Sequence, residues 1–148
     1  MPVFFTICTK RRRPFLAQRR VADVIVSALQ QNAQIHGCAV IAYCIMPDHL
    51  HLVACVSRRG GDVLSMVEGF KKTTGGALQH VAGGTVWQRS FDDRHARRDD
   101  DVKAMIDYIL KNPRRAGLCS PDQEWPYAAF SGFPTPENGG PDGGPAPP

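Results

Sequence analysis

A chain of 148 residues, 43% hydrophobic and 22% charged, has the size and composition of a single globular domain that buries its own core. A formal net charge of +4 with a pI near 8.9 permits a nucleic-acid partner but equally suits plain solvated arginines. No apolar run is long enough to span a bilayer, and five cysteines without CxxC spacing argue against a disulfide frame or a zinc ribbon.

The cysteines lie mostly inside apolar strand-like runs, where a free thiol behaves as a small buried hydrophobe; the expectation is a reduced, cytoplasmic protein. The first apolar run precedes the first basic cluster, the reverse of a secretory signal. Val3 to Thr9 is rich in β-branched and aromatic residues and predicts a first strand, ended by Lys10-Arg11-Arg12-Arg13. From Arg20 to Gln34, Val21, Val24, Ile25, Ala28 and Leu29 keep the spacing of an amphipathic helix, which Gly37 is placed to end.

Cys38 to Met46 is continuously apolar, as in a strand covered on both faces. Pro47-Asp48 makes a tight turn, and His49 to Val56 is the partner strand. Gly61 to Lys72 predicts a second helix, with Gly75-Gly76 as its interruption. Val86 to Arg94 reads as a returning strand. Asp99 to Lys111 reads as a third helix, whose three leading aspartates suit its N-terminal dipole.

The order βαββαβα is that of a ferredoxin-like α+β fold, an antiparallel sheet with helices on one face. That unit is assigned to residues 1–133, and the Pro/Gly-rich stretch 134–148 is expected to be a disordered tail.

Two constellations carry chemistry. His49 and His51 stand two apart on a strand, so both imidazoles share a face and can lean onto one divalent ion. Alternating polar residues on an exposed strand face would give the same pattern. On the third helix, Val102, Met105, Ile106, Ile109 and Leu110 fall within an arc of about 140°, with Tyr108 about 130° from its centre. Tyr108 therefore points away from the core, either as a surface tyrosine or as a reactive one, and Asn112 shares its side of the helix. A phenol with a pKa of about 10 is a weak nucleophile at neutral pH unless charge is withdrawn from the phosphate it attacks. A phosphotyrosine product would keep the phosphodiester's energy for resealing by a 3′-hydroxyl. Pro113 disfavours helix at Asn112, so the last turn is expected to distort.

Three blocks in this order resemble the single-tyrosine HUH transposases (IS200-like), and especially the REP-associated tyrosine transposases. They are Tyr43-Cys44-Ile45-Met46-Pro47-Asp48-His49-Leu50-His51-Leu52-Val53, Val86-Trp87-Gln88-Arg89-Ser90-Phe91, and Tyr108-Ile109-Leu110-Lys111-Asn112-Pro113-Arg114-Arg115-Ala116-Gly117-Leu118. The resemblance implies a Mg²⁺- or Mn²⁺-dependent endonuclease and strand-transferase acting on single-stranded DNA beside hairpins. It makes Tyr108 the nucleophile and His49 and His51 metal ligands, with Asn112 completing the metal shell. It favours a monomer over a dimer.

The chain departs from the family pattern at Asp48, where Asn is usual, and at Phe91-Asp92-Asp93-Arg94, which leaves His95 one place late. Phosphate contacts are expected from Arg11, Arg12, Arg13, Lys71, Lys72, Arg89, Arg114 and Arg115. Trp87 and Trp125 either stack on bases or are buried. The competing readings are a domesticated, non-catalytic single-strand-binding module, and a small zinc hydrolase with a third strong ligand from His36, His80, His95 or a carboxylate.

Overall fold

β3 (His49–Val56) lies at the centre of the sheet, and its period-two alternation splits the core into two layers. The computed structural model describes residues 1–132; the expected tail lies outside the described residues. β1 (Val3–Cys8) and β2 (Cys38–Ile45) flank β3, with β4 (Asp92–His95) and β5 (Ala128–Phe130) at the edges, in the order β4-β1-β3-β2-β5. Every pairing is antiparallel.

Val3, Phe5 and Ile7 of β1 and Leu50, Leu52 and Ala54 of β3 point to one face. There α1 (Arg19–Ile35) and α2 (Val63–Ala77) cover them with Ile25, Leu29, Met66 and Phe70. Each such side chain, fully buried, contributes roughly 1.5–3 kcal/mol. The two helices approach closely at Gly69, where an added Cβ would stand 2.4 Å from Asn32 Oδ1. Gly37, with φ of 68°, ends α1 as the sequence predicts. This is the expected α+β antiparallel sheet, with α1 and α2 packed together on one face.

The other face carries Ala42, Cys44, Val53 and Cys55, and α4 (Asp99–Arg115) lies across it through Val102, Met105, Ile106 and Ile109. The continuous apolar run of β2 is thus covered on both sides, as expected. All five cysteines are free. Among the described residues no helix is long and apolar enough to cross a membrane.

Several boundaries differ from expectation. α2 runs through Gly75-Gly76 to Ala77 and is followed by a one-turn α3 (Gln79–Ala82). Tertiary anchors on both sides hold it: Thr74 is fully buried and accepts a 2.8 Å hydrogen bond from Trp87 Nε1, and Leu78 is buried. These outweigh a glycine penalty of about 1 kcal/mol per residue.

The strand expected over Val86–Arg94 is confined to Asp92–His95. Residues before it cross the end of β1 instead, with Lys10 N–H donating to Val86 O and Gln88 N–H to Cys8 O. α4 continues past Lys111 because Pro113 falls near the middle of its apolar stripe and is buried. β5 was not expected. It adds to β2 after Trp125 Nε1 has donated to Ile45 O at 2.9 Å.

Candidate active site

The turn between β2 and β3 is short, so His49 and His51 emerge at one end of the sheet, on the face that α4 crosses. Their rings are 4.7 Å apart and nearly perpendicular. His51 is only 6% exposed. It stands opposite Thr6 across the β1–β3 pairing, and Thr6 Oγ1 lies 3.1 Å from its Nδ1. Phe4 packs against the ring edge at 5.2 Å.

Burial, aided by electrostatic repulsion from the neighbouring His49 and Arg115, pushes the His51 pKa down to about 4. The imidazole is therefore neutral at ordinary pH, the form in which it donates a lone pair.

His49 is held by a different partner. Its Nδ1 lies 2.7 Å from Asp48 Oδ1 and 3.4 Å from an Arg12 amino group. The shorter contact and the carboxylate's charge make Nδ1–H the donor to Asp48. Arg12 Nε donates to the other carboxylate oxygen at 3.1 Å. Burial would raise the Asp48 pKa, but the hydrogen bonds from His49 and Arg12 outweigh it and hold the carboxyl below its ordinary range.

Tyr108 comes from α4 with its ring 5.9 Å from His51 and 6.1 Å from Phe4, and it is 49% exposed. The Arg115 guanidinium lies over the phenol face at 4.3 Å and donates to the Tyr108 carbonyl. Asn112 follows one turn later, half-buried. A groove of about 910 Å³ opens between β4 and α4, lined by Thr6, His51, Arg94, His95, Arg97 and Tyr108 among others. The structure thus brings the two histidines and Tyr108 to one place.

The donor set fits a divalent ion. Each histidine has its Nδ1 engaged, by Asp48 or Thr6, which leaves Nε2 of both for coordination. Among the described residues no three His, Cys, Asp or Glu side chains converge, so the zinc-hydrolase reading lacks its third strong ligand.

The cations expected to hold DNA separate into two groups. The side chains of Arg11, Lys72 and Arg89 are exposed and make no hydrogen bond or ion pair among the described residues. The others already have protein partners. Arg12 binds Asp48, Arg13 donates to Ala82 O, and Arg114 donates to Gln123 O. Arg115 is on Tyr108, and Lys71 donates to the carbonyls of Gln88 and Arg89 at 2.8 and 3.2 Å. Both tryptophans are engaged as well, Trp87 on Thr74 and Trp125 on Ile45.

Sequence reasoning missed Thr6, Phe4 and the role of Arg12. Thr6 is the polar exception in an apolar strand, but nothing local says that it faces His51. Asp93, Arg94 and Arg97 of the groove were likewise not singled out as site residues.

Residues 2–112 match the family described as IS200-like transposases. A Haemophilus influenzae protein provisionally named a REP-associated tyrosine transposase is 27% identical over 139 residues, covering 86% of this chain and 78% of that protein. The Escherichia coli REP-associated tyrosine transposase is 24% identical over 128 residues, covering 86% and 74%. A REP-associated tyrosine transposase solved bound to a REP hairpin shares the fold with a TM-score of 0.74 at 24% identity, over 87% of this chain and 76% of that one.

Proposed function

The chain belongs to the family of IS200-like transposases, and from that premise we propose that it cuts and rejoins single-stranded DNA beside a hairpin through a 5′-phosphotyrosine link at Tyr108. The observation that carries this reading is the meeting of a half-exposed Tyr108 with the His49–His51 pair across the β3–α4 boundary, ring to ring at 5.9 Å. The solved REP-associated relative on its hairpin supports the DNA class. We take residues 1–133 as the catalytic unit, acting as a monomer in the cytoplasm.

In the cleavage step Tyr108 Oη attacks the scissile phosphorus. The Tyr O–P bond forms, the P–O3′ bond breaks, the phenolic proton passes to water, and the departing 3′ oxygen takes a proton from water. In the joining step a 3′-hydroxyl attacks the same phosphorus and releases Tyr108. Nε2 of His49 and His51, with the Asn112 carboxamide, would hold Mg²⁺ or Mn²⁺, whose Lewis acidity withdraws charge from the phosphate. Asp48, an obligate acceptor, keeps the His49 imidazole in the tautomer that presents Nε2, and the Thr6 hydroxyl accepts from His51 Nδ1–H when His51 takes the same tautomer. Packing of Ile109 and Met105 on the sheet holds α4 so that Tyr108 is already placed before substrate arrives. Arg11, Lys72 and Arg89 are the cations best disposed to take backbone phosphates.

The test is incubation with labelled single-stranded hairpin oligonucleotides and Mn²⁺ or Mg²⁺, followed by denaturing gels. A metal-dependent protein–DNA adduct is expected in the wild type and should be lost in both Tyr108→Phe and His49→Ala. An adduct that persists in Tyr108→Phe moves the nucleophile to Tyr43 or Tyr127. Salt-sensitive binding with no adduct at all would leave a non-catalytic single-strand-binding module.

A further inference from the structure

We infer that Arg12 and Asp48 form a positioning pair for His49, locking its Nδ1–H tautomer and ring orientation so that Nε2 faces the metal position. The inference rests on the metal-site reading above and deepens it. Its first support is the chain of contacts. The ring nitrogen donates to Asp48 Oδ1 at 2.7 Å, and the second carboxylate oxygen accepts from Arg12 Nε at 3.1 Å. One carboxylate thus bridges a ligand and a cation. Its charge is balanced on the side away from the ligand, and its acceptor lobes point at Nδ1.

An independent observation comes from the backbone. Arg11 and Arg12 both adopt left-handed conformations, with φ of 58° and 55°. Two consecutive non-glycine residues in that region are unusual and persist only where surrounding contacts fix them. Those contacts are present: Lys10 N–H donates to Val86 O and Arg13 to Ala82 O, and others reach the turn that carries Asp48. The fully buried Thr9 donates to Asp48 O from its backbone N–H at 3.0 Å, while its hydroxyl, 3.2 Å from the same oxygen, donates to Arg13 O at 2.9 Å and ties the bend to itself. Leu16 N–H donates to Pro47 O at 2.9 Å. The segment from Thr9 to Leu16 is therefore stitched to the Pro47-Asp48 turn, and its left-handed bend delivers the Arg12 guanidinium to the carboxylate. A basic residue meant only for DNA would need no such backbone.

His51 has no such arrangement. A neutral Thr6 hydroxyl holds its Nδ1, and its burial supplies the rigidity that a half-buried turn lacks. The two ligands are thus oriented by different means, charge for the outer one and burial for the inner one.

The experiment uses the metal-free full chain and Mn²⁺ alone as the probe. Long-range proton–nitrogen NMR of ¹⁵N-histidine-labelled wild type, at mildly alkaline pH, is expected to show His49 as the Nδ1–H tautomer. Calorimetric titration with Mn²⁺ is expected to show affinity falling roughly 10–100-fold in Asp48→Ala, the range typical of a lost partner behind a metal ligand. Asp48→Asn, whose side-chain oxygen still accepts from Nδ1–H, should lose less. Arg12→Gln should weaken binding in the wild-type background and add nothing once Asp48 is alanine. An Nε2–H tautomer in the wild type overturns the proposal without any variant being made. So does a His49-dependent Mn²⁺ affinity that Asp48→Ala leaves unchanged. If His49→Ala does not alter Mn²⁺ binding, the metal-site reading itself falls and carries this proposal with it.

Discussion

His51 shows how one buried side chain couples protonation to folding. Its folded pKa of about 4 lies below the roughly 6.5 of an unfolded histidine. Between those values the unfolded chain binds the extra proton, so stability is present above the upper one and declines as pH falls towards the lower. For the metal-free protein this group alone predicts a loss on the order of 2 kcal/mol on going from near pH 7 to near pH 5. Denaturant titrations of wild type and His51→Gln at the two pH values check it, and the variant should lack that component. An equal pH dependence in both proteins would mean that His51 is not kept neutral by burial. At this scale the sequence was informative about which side chains share a face. The two-residue repeat of a strand puts His49 and His51 on one face whatever they pair with. It was silent on Thr6 and Arg12, because their roles depend on strand register and on a loop crossing a distant turn.

At the scale of elements, α2 and α4 both run through residues that usually stop helices. Gly75 and Gly76 lie inside α2, and a Cβ added at either would meet nothing within 4 Å. Neither has the positive φ that only glycine tolerates comfortably. Gly75→Ala and Gly76→Ala should therefore each stabilise the protein by about 0.5–1 kcal/mol, read as a higher denaturant midpoint at unchanged m-value. Destabilisation by either would indicate that the helix end needs backbone freedom. α4 passes Pro113 because that ring is buried on the stripe already occupied by Met105, Ile106 and Ile109. The helical period was legible around it, whereas the compensating burial was not.

For the molecule as a whole, the cations sort by what they already hold. Lys72 and Arg89 are exposed and border a groove of about 520 Å³ with Gly75, Gly76 and Gln88. Lys71, their neighbour, ties down the carbonyls of Gln88 and Arg89. Lys72→Ala and Arg89→Ala should each reduce the salt dependence of single-strand binding by about 0.7 in the log–log slope, the effect of one lost phosphate contact. Lys71→Ala should instead lower the unfolding temperature with little change in slope. Fluorescence-anisotropy titrations over a salt series, with thermal melts alongside, separate the two. A slope change in Lys71→Ala equal to that in Lys72→Ala would show that Lys71 releases its carbonyls to take phosphate.

The sequence by itself determined the α+β class, the single sheet, the shared face of His49 and His51 and the outward side of α4 that carries Tyr108. All of these follow from local periodicities of two and 3.6 residues, which the order of side chains states directly. Only the tertiary structure decided that α4 lies on the histidine face of the sheet. It also decided that β1 registers Thr6 against His51, and that the Thr9–Leu16 segment fastens onto Pro47-Asp48 and brings Arg12 with it. Those choices depend on contacts between residues about 30 to 100 positions apart, and no local pattern encodes which surfaces will meet.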